Sequence, residues 1–148
     1  MKTLFIALLT ALAVNASAQP HFSMGAGANA GLGREGGAAV QLNAGYSFNQ
    51  WLIEYDQRFV PDRSNPAYMG IRAGWHVVNT ELHRTVLLAG CSYGYFREYD
   101  PQNGFYPGAG LSYQYMPPNV AVPAGIGAEV YYINNNVFTT FKFTVWIN

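Results

Sequence analysis

The sequence predicts an all-β fold: an eight-stranded antiparallel up-and-down transmembrane β-barrel with a side-chain-filled lumen. Three observations carry this. Apolar residues recur with period two, the strand period, in eight successive segments. Charged residues make up 11% of the chain, against about 25% in an ordinary soluble domain. Beyond the N-terminal leader, no run approaches the roughly 18 apolar residues of a membrane-crossing helix.

The leader comes first. Lys2 supplies a positive start, Leu4 to Val14 is apolar, and Ala16-Ser17-Ala18 has the small-residue spacing of a cleavage site. These features predict a cleaved secretory signal over residues 1–18 and a single barrel domain over 19–148. Cys91 is the one cysteine, so no internal disulfide staples the exported chain.

The first strand is expected from about Phe22 to Leu32, with Met24, Ala26, Ala28, Ala30 and Leu32 on one face. A glycine-rich turn follows. Its Gly31-x-Gly33-x-x-Gly36 spacing matches a dinucleotide fingerprint, but a strand follows where that motif needs a helix. In the second strand, about Ala38 to Phe48, Val40, Leu42, Ala44, Tyr46 and Phe48 alternate with Gln41, Asn43, Gly45 and Ser47. After a tight Asn49-Gln50 turn, the third strand runs from Trp51 to Val60. There Trp51, Ile53, Tyr55 and Phe59 oppose Glu54, Asp56 and Arg58. The fourth, Ala67 to Val78, sets Met69, Ile71, Ala73, Trp75 and Val77 against Gly70, Arg72, Gly74 and His76.

The fifth strand, Leu82 to Arg97, turns Thr85, Leu87, Ala89, Cys91, Tyr93 and Tyr95 outward, because Gly90, Ser92 and Gly94 suit a crowded interior. The sixth, from about Phe105, opposes Leu111, Tyr113 and Tyr115 to Gly110, Ser112 and Gln114. Pro117-Pro118-Asn119 is expected as a tight turn into a seventh strand, Val120 to Ile133, with Glu129 and Tyr131 inward and a bulge at Pro123. The last strand is the cleanest: Phe141, Phe143, Val145 and Ile147 face one way, and Lys142, Thr144 and Trp146 the other.

A backbone in lipid has to satisfy its polar groups internally, so the strands are expected to close into a ring. Loops after strands one, three and five are longer or more charged and those after strands two, four and six are tighter, while the last outer connection, Asn134 to Asn136, is short and departs from the scheme. In bacterial outer-membrane barrels that alternation places tight turns and both termini on the periplasmic side. Tyr46, Phe48, Trp51, Trp75, Tyr113 and Tyr115 gather near the tight turns and are expected to form an aromatic girdle, with Trp146 at their level on the lumen face.

On this combination of leader, eight alternating segments and aromatic final strand, the chain resembles the small OmpA/OmpX-type outer-membrane β-barrels. It is especially similar in style to the compact Gly- and Tyr-rich barrels of Bacteroidota. The resemblance implies an outer-membrane location, contact with membrane lipid and lipopolysaccharide, and delivery by the barrel insertion machinery. Members of that group usually end in an aromatic residue, whereas this chain reads Trp146-Ile147-Asn148.

The inward charges are expected to form a lumen network of Glu54, Asp56, Arg58, Arg72, His76, Glu129 and Lys142, since buried charges have to be paired. Two constellations bear on catalysis. Some eight-stranded barrels deacylate lipid A with a His-x-Ser pair, and His21-Phe22-Ser23 has that spacing, although its flanking residues do not match. His76 with Glu54 or Asp56 and Ser92 is a second set. No metal-ligand spacing or cofactor motif stands out, and zero net charge gives no electrostatic case for nucleic acid. The expected role is structural or surface-interacting and non-catalytic. A lipid-modifying enzyme and a secreted barrel with an apolar ligand are the alternatives. Arg34, Glu35, Asp62, Arg63, Glu98, Tyr99 and Asp100 mark the loops as candidate contact points for a partner or polysaccharide.

Overall fold

The computed structural model describes residues 18–31, 36–60, 67–95, 103–120 and 122–147. Residues 1–17 of the leader, Leu32 and the seven charged or aromatic loop residues named above lie outside the described residues. Eight strands follow one another: β1 (Gln19–Gly31), β2 (Gly37–Phe48), β3 (Trp51–Phe59), β4 (Ala67–Asn79), β5 (His83–Tyr95), β6 (Gly104–Tyr115), β7 (Ala124–Ile133) and β8 (Asn136–Trp146). Each pairs antiparallel with the next, and β1 pairs with β8 from His21↔Trp146 to Gly31↔Asn136. The ring is closed, so no strand presents an unpaired edge. This is the up-and-down transmembrane barrel architecture, with a filled lumen.

The alternation explains which side chain goes where. On β8 the burial reverses at every residue, with Phe141 74% exposed outside and Lys142 5% exposed inside. The same holds on β3, where Trp51, Ile53 and Tyr55 point out and Leu52, Glu54, Asp56 and Arg58 are buried. A soluble domain would bury the first set and expose the second. Here the apolar set is the outer surface.

The turns follow local chemistry. Ile133 pairs with Asn136, so β7 and β8 are joined by Asn134 and Asn135 alone. Both have positive φ, 47° and 60°, as a two-residue hairpin matched to strand twist requires, and asparagine tolerates that region better than most residues. Asn49 takes φ 50° in the β2–β3 turn. On β4, His76 pairs with Val86 and Val78 with Thr85, which leaves Val77 as an extra residue. The bulge brings Val77 and Val78 both to the outer surface.

Several expected boundaries move. β5 begins at His83 rather than Leu82 and is described only to Tyr95. β1 begins at Gln19, earlier than expected, because its first residues pair with β2 up to Gln19↔Ser47. The largest change is β7, which starts at Ala124 and not at Val120. Three prolines, Pro117, Pro118 and Pro123, lack the N–H that a ladder needs, so pairing begins only after the last of them. Pro123 therefore precedes the strand, with its carbonyl accepting the Trp146 N–H at 2.9 Å, and no bulge is needed. The connection after β6 spans residues 116–123 and is not a tight turn.

Candidate functional site: the lumen charge cluster

The clustered charges sit on β3, β4, β7 and β8, and glycine makes room for four of them. Across the ladders Glu54 faces Gly45, Asp56 faces Gly70, Arg72 faces Gly90, and Lys142 faces Gly25 and Gly127. A Cβ on Gly90 would lie 2.6 Å from that of Arg72, and one on Gly45 2.5 Å from that of Glu54. A large side chain fits inside a narrow barrel where its neighbour has none.

Glu129 is the hub. Its carboxylate accepts from Arg58 Nη2 at 2.6 Å, Arg72 Nη1 at 2.5 Å and Nη2 at 2.8 Å, Lys142 Nζ at 2.9 Å, and Gln41 Nε2 at 2.9 Å. Asp56 accepts from Arg58 Nε at 2.8 Å and from Asn43 Nδ2 at 2.7 Å, and lies 3.4 Å from Arg72 Nη1. Glu54 accepts from Arg72 Nε at 2.6 Å and contacts His21 Nε2 at 3.0 Å. Gln41 bridges the carboxylates to Thr140, whose hydroxyl donates to Gln41 Oε1 at 2.6 Å. Three carboxylates thus meet three cations, all buried, and their charges cancel. A buried charge is tolerated when its lone pairs and protons are used in this way.

His76 does not join this cluster. Its Nε2 lies 3.1 Å from Ser47 Oγ, near the turn end, and among the described residues it forms no ion pair with a carboxylate. The reason is axial position: His76 follows Arg72 by four residues toward the β4–β5 turn, about 13 Å at the strand rise. The two catalytic constellations are not assembled either. His21 and Ser23 both face the lumen, engaged with Glu54 and with Asn43 Oδ1, and both are buried. His76 pairs with Val86, six residues and about 20 Å along β5 from Ser92.

Toward the loop end an aromatic lid covers the charges. Tyr68 packs edge-on against Phe138 at 5.8 Å and against Tyr106 at 6.4 Å between ring centroids. The Arg58 guanidinium lies 4.1 Å from the Tyr131 ring centre and 5.3 Å from that of Phe138. Asn136 Nδ2 donates to the Tyr68 hydroxyl at 3.1 Å. The sequence reading named none of these as a lid, although Tyr68 and Phe138 share strand parity with Arg72 and Lys142.

Outside, Trp51 and Trp75 stack at 6.1 Å, each opposite the other across β3–β4. Tyr46 and Tyr113 are exposed at the same end, and the Tyr113 hydroxyl lies 2.8 Å from His83 Nδ1. Tyr115 is half-buried, against the His83 ring. Trp146 is enclosed in the lumen below Arg84. A second outward aromatic group lies at the loop end, Tyr95, Phe105 and Tyr132; the alternation turns each of them outward, but their grouping as a second belt is not expected from it. Among the described residues, no three His, Cys, Asp or Glu side chains converge as metal ligands.

No family model and no curated protein matches the chain. Among solved structures it is similar to a de novo designed transmembrane β-barrel, at 12% identity and TM-score 0.63, covering 90% of this chain and 98% of that one. It is similar to a second designed barrel, TMB2.3, at 12% identity and TM-score 0.57, covering 88% and 94%. The outer membrane protein Ail of Yersinia pestis, in a phospholipid bilayer nanodisc, matches at 15% identity and TM-score 0.50, covering 88% and 98%. At these identities the likeness is one of fold.

Proposed function

We propose that this chain is an exported outer-membrane barrel protein with a structural or surface-interaction role and no catalytic activity, akin to the OmpA/OmpX-type barrels and to the compact barrels of Bacteroidota. The observation that carries the reading is the inversion of the wall. An outer surface of Phe, Ile, Leu, Val and Tyr encloses a lumen closed by paired charges under an aromatic lid. An outward apolar band flanked by aromatic residues is what a bilayer-spanning barrel needs. An apolar ligand would meet paired carboxylates and guanidinium groups at the centre of the lumen, not a hydrophobic cavity. In this reading the aromatic group at the turn end marks the periplasmic interface, and lipopolysaccharide surrounds the loop end. Residues 1–18 are the cleaved export signal, and the insertion machinery receives the strands.

The test is fractionation with gel mobility. The mature protein, beginning at Gln19 by N-terminal sequencing, should sediment with outer membranes, need detergent for solubility, and run faster unheated than boiled. Recovery as a detergent-free soluble protein overturns the membrane reading. Mass spectrometry of lipid A should be unchanged by expression. A lost acyl chain would favour a lipid-modifying enzyme instead.

A further inference from the structure

Below the charge cluster, toward the turn end, lies a cavity of about 10 Å³, room for one occupant of water or small-ion size. Its lining includes His21, His76, Arg84 and Ser112. Five buried polar atoms on these four residues have no hydrogen-bond partner: His21 Nδ1, His76 Nδ1, Arg84 Nε and Nη1, and Ser112 Oγ. Buried polar groups in folded proteins are almost always satisfied, so five orphans on one small cavity point to an occupant.

The chemistry of the set selects its charge. Arg84 offers two N–H groups that only donate, and the Ser112 hydroxyl donates by rotation. His76 presents Nδ1–H when Nε2 accepts from Ser47. His21 is the exception: with the proton of a neutral ring on Nε2, which faces a carboxylate, its Nδ1 accepts. The charges nearby are unbalanced in the same direction. Glu54 is the one carboxylate on the lining, and Arg72 and His21 already engage it. Among the described residues Arg84 has no ion-pair partner. It lies 4.8 Å over the Trp146 ring, and these two side chains also line an open mouth of about 300 Å³ at the turn end. The pair therefore forms the wall between cavity and solvent, which gives an occupant a way in.

We propose that this cavity binds one small monovalent anion of halide size, held by Arg84 together with Ser112 and His76. The anion neutralises the one lumen cation that the carboxylate cluster leaves unmatched.

Bromide is the probe. Crystals of the folded barrel soaked in bromide should show an anomalous peak within hydrogen-bond distance of the Arg84 guanidinium and Ser112 Oγ. In detergent solution the unfolding midpoint should rise with the logarithm of bromide concentration, relative to gluconate at equal ionic strength. Arg84→Gln, which keeps a hydrogen-bonding group and loses the charge, should remove both effects while the barrel still folds by gel mobility. Should that variant fail to fold, Ser112→Ala should fold and at least halve the bromide-dependent shift. A peak without anomalous signal identifies a water and overturns the proposal. So do equal midpoints in bromide and gluconate, which mean an adventitious ion only, and a bromide-dependent rise that survives in both variants.

Discussion

The centre of the lumen and its turn end are built from the same residue types, yet they solve burial in opposite ways. At the centre every charge has an opposite charge within hydrogen-bond reach, with Glu129 alone accepting from Arg58, Arg72, Lys142 and Gln41. Of the six central charges only Arg58 leaves a buried atom, Nη1, without a partner, whereas at the turn end Arg84, His21, His76 and Ser112 all keep donors or acceptors without protein partners. The centre is a closed set in which losing one member strands the others. The turn end is an open set in which losing one member strands little. The same alternating pattern thus gives a locked core and a lightly held rim, and substitutions should rank accordingly.

The largest effect is expected from Glu129→Gln. Three cations lose their shared carboxylate, and breaking a buried pair by removing one partner costs about 3–5 kcal/mol. The temperature at which the fast-migrating folded band disappears should fall more than for any other variant named here. A fall no larger than that of an outward substitution such as Leu87→Ala would mean the cluster does not hold the barrel.

Lys142→Met should come next. Glu129 keeps both arginines, so the loss is smaller than for Glu129→Gln, but the cluster carries one negative charge in excess. An unchanged gel-shift temperature would sink the network. The double variant with Glu129→Gln restores neutrality, and a coupling of about 0.5–3 kcal/mol should make it more stable than the two losses summed.

The third substitution tests the space rather than the charge. In Gly90→Ala the new methyl would meet the Ile71 carbonyl oxygen at 2.5 Å and the Arg72 Cβ at 2.6 Å. The first is backbone on the paired strand and cannot turn aside. Overpacking of this kind costs about 1–3 kcal/mol, read from the same unfolding transition. A neutral Gly90→Ala would show that the glycines are not what admits the charged side chains.

Parity along the strands made much of this fold legible, because a side chain in a strand has two choices and the apolar residues take one of them. Glu54, Asp56 and Arg58 fall on the inner face by counting alone. What parity does not carry is height. Which inward residues meet depends on the stagger between strands, and Glu129 lies 71 residues from Arg58 and 57 from Arg72. Hence His76, which has the right parity, sits at the wrong level to join the carboxylates. The same limit hid the aromatic lid: Tyr68 and Phe138 come from β4 and β8, and only the closed ring brings them to one height. The misplaced start of β7 has a different cause. Three prolines override an alternation that otherwise continues through Val120 and Val122.

The smallest effect is expected at the rim, from His76→Ala. The substitution removes the bond between Nε2 and Ser47 Oγ and one of the three groups proposed to hold the anion, at a position without a carboxylate partner. A neutral side-chain hydrogen bond contributes about 1 kcal/mol, and its loss near the open mouth is partly made up by water. The folded band should persist to within a few degrees of the parent temperature. The comparison turns on that margin. If His76→Ala were as damaging as Glu129→Gln, the turn end would have to be coupled to the central cluster, for which the His21–Glu54 contact is a direct route. His21→Ala would then show the same loss. If His76→Ala is mild and His21→Ala costs more, the boundary between the locked and the lightly held parts of the lumen lies at the His21–Glu54 contact.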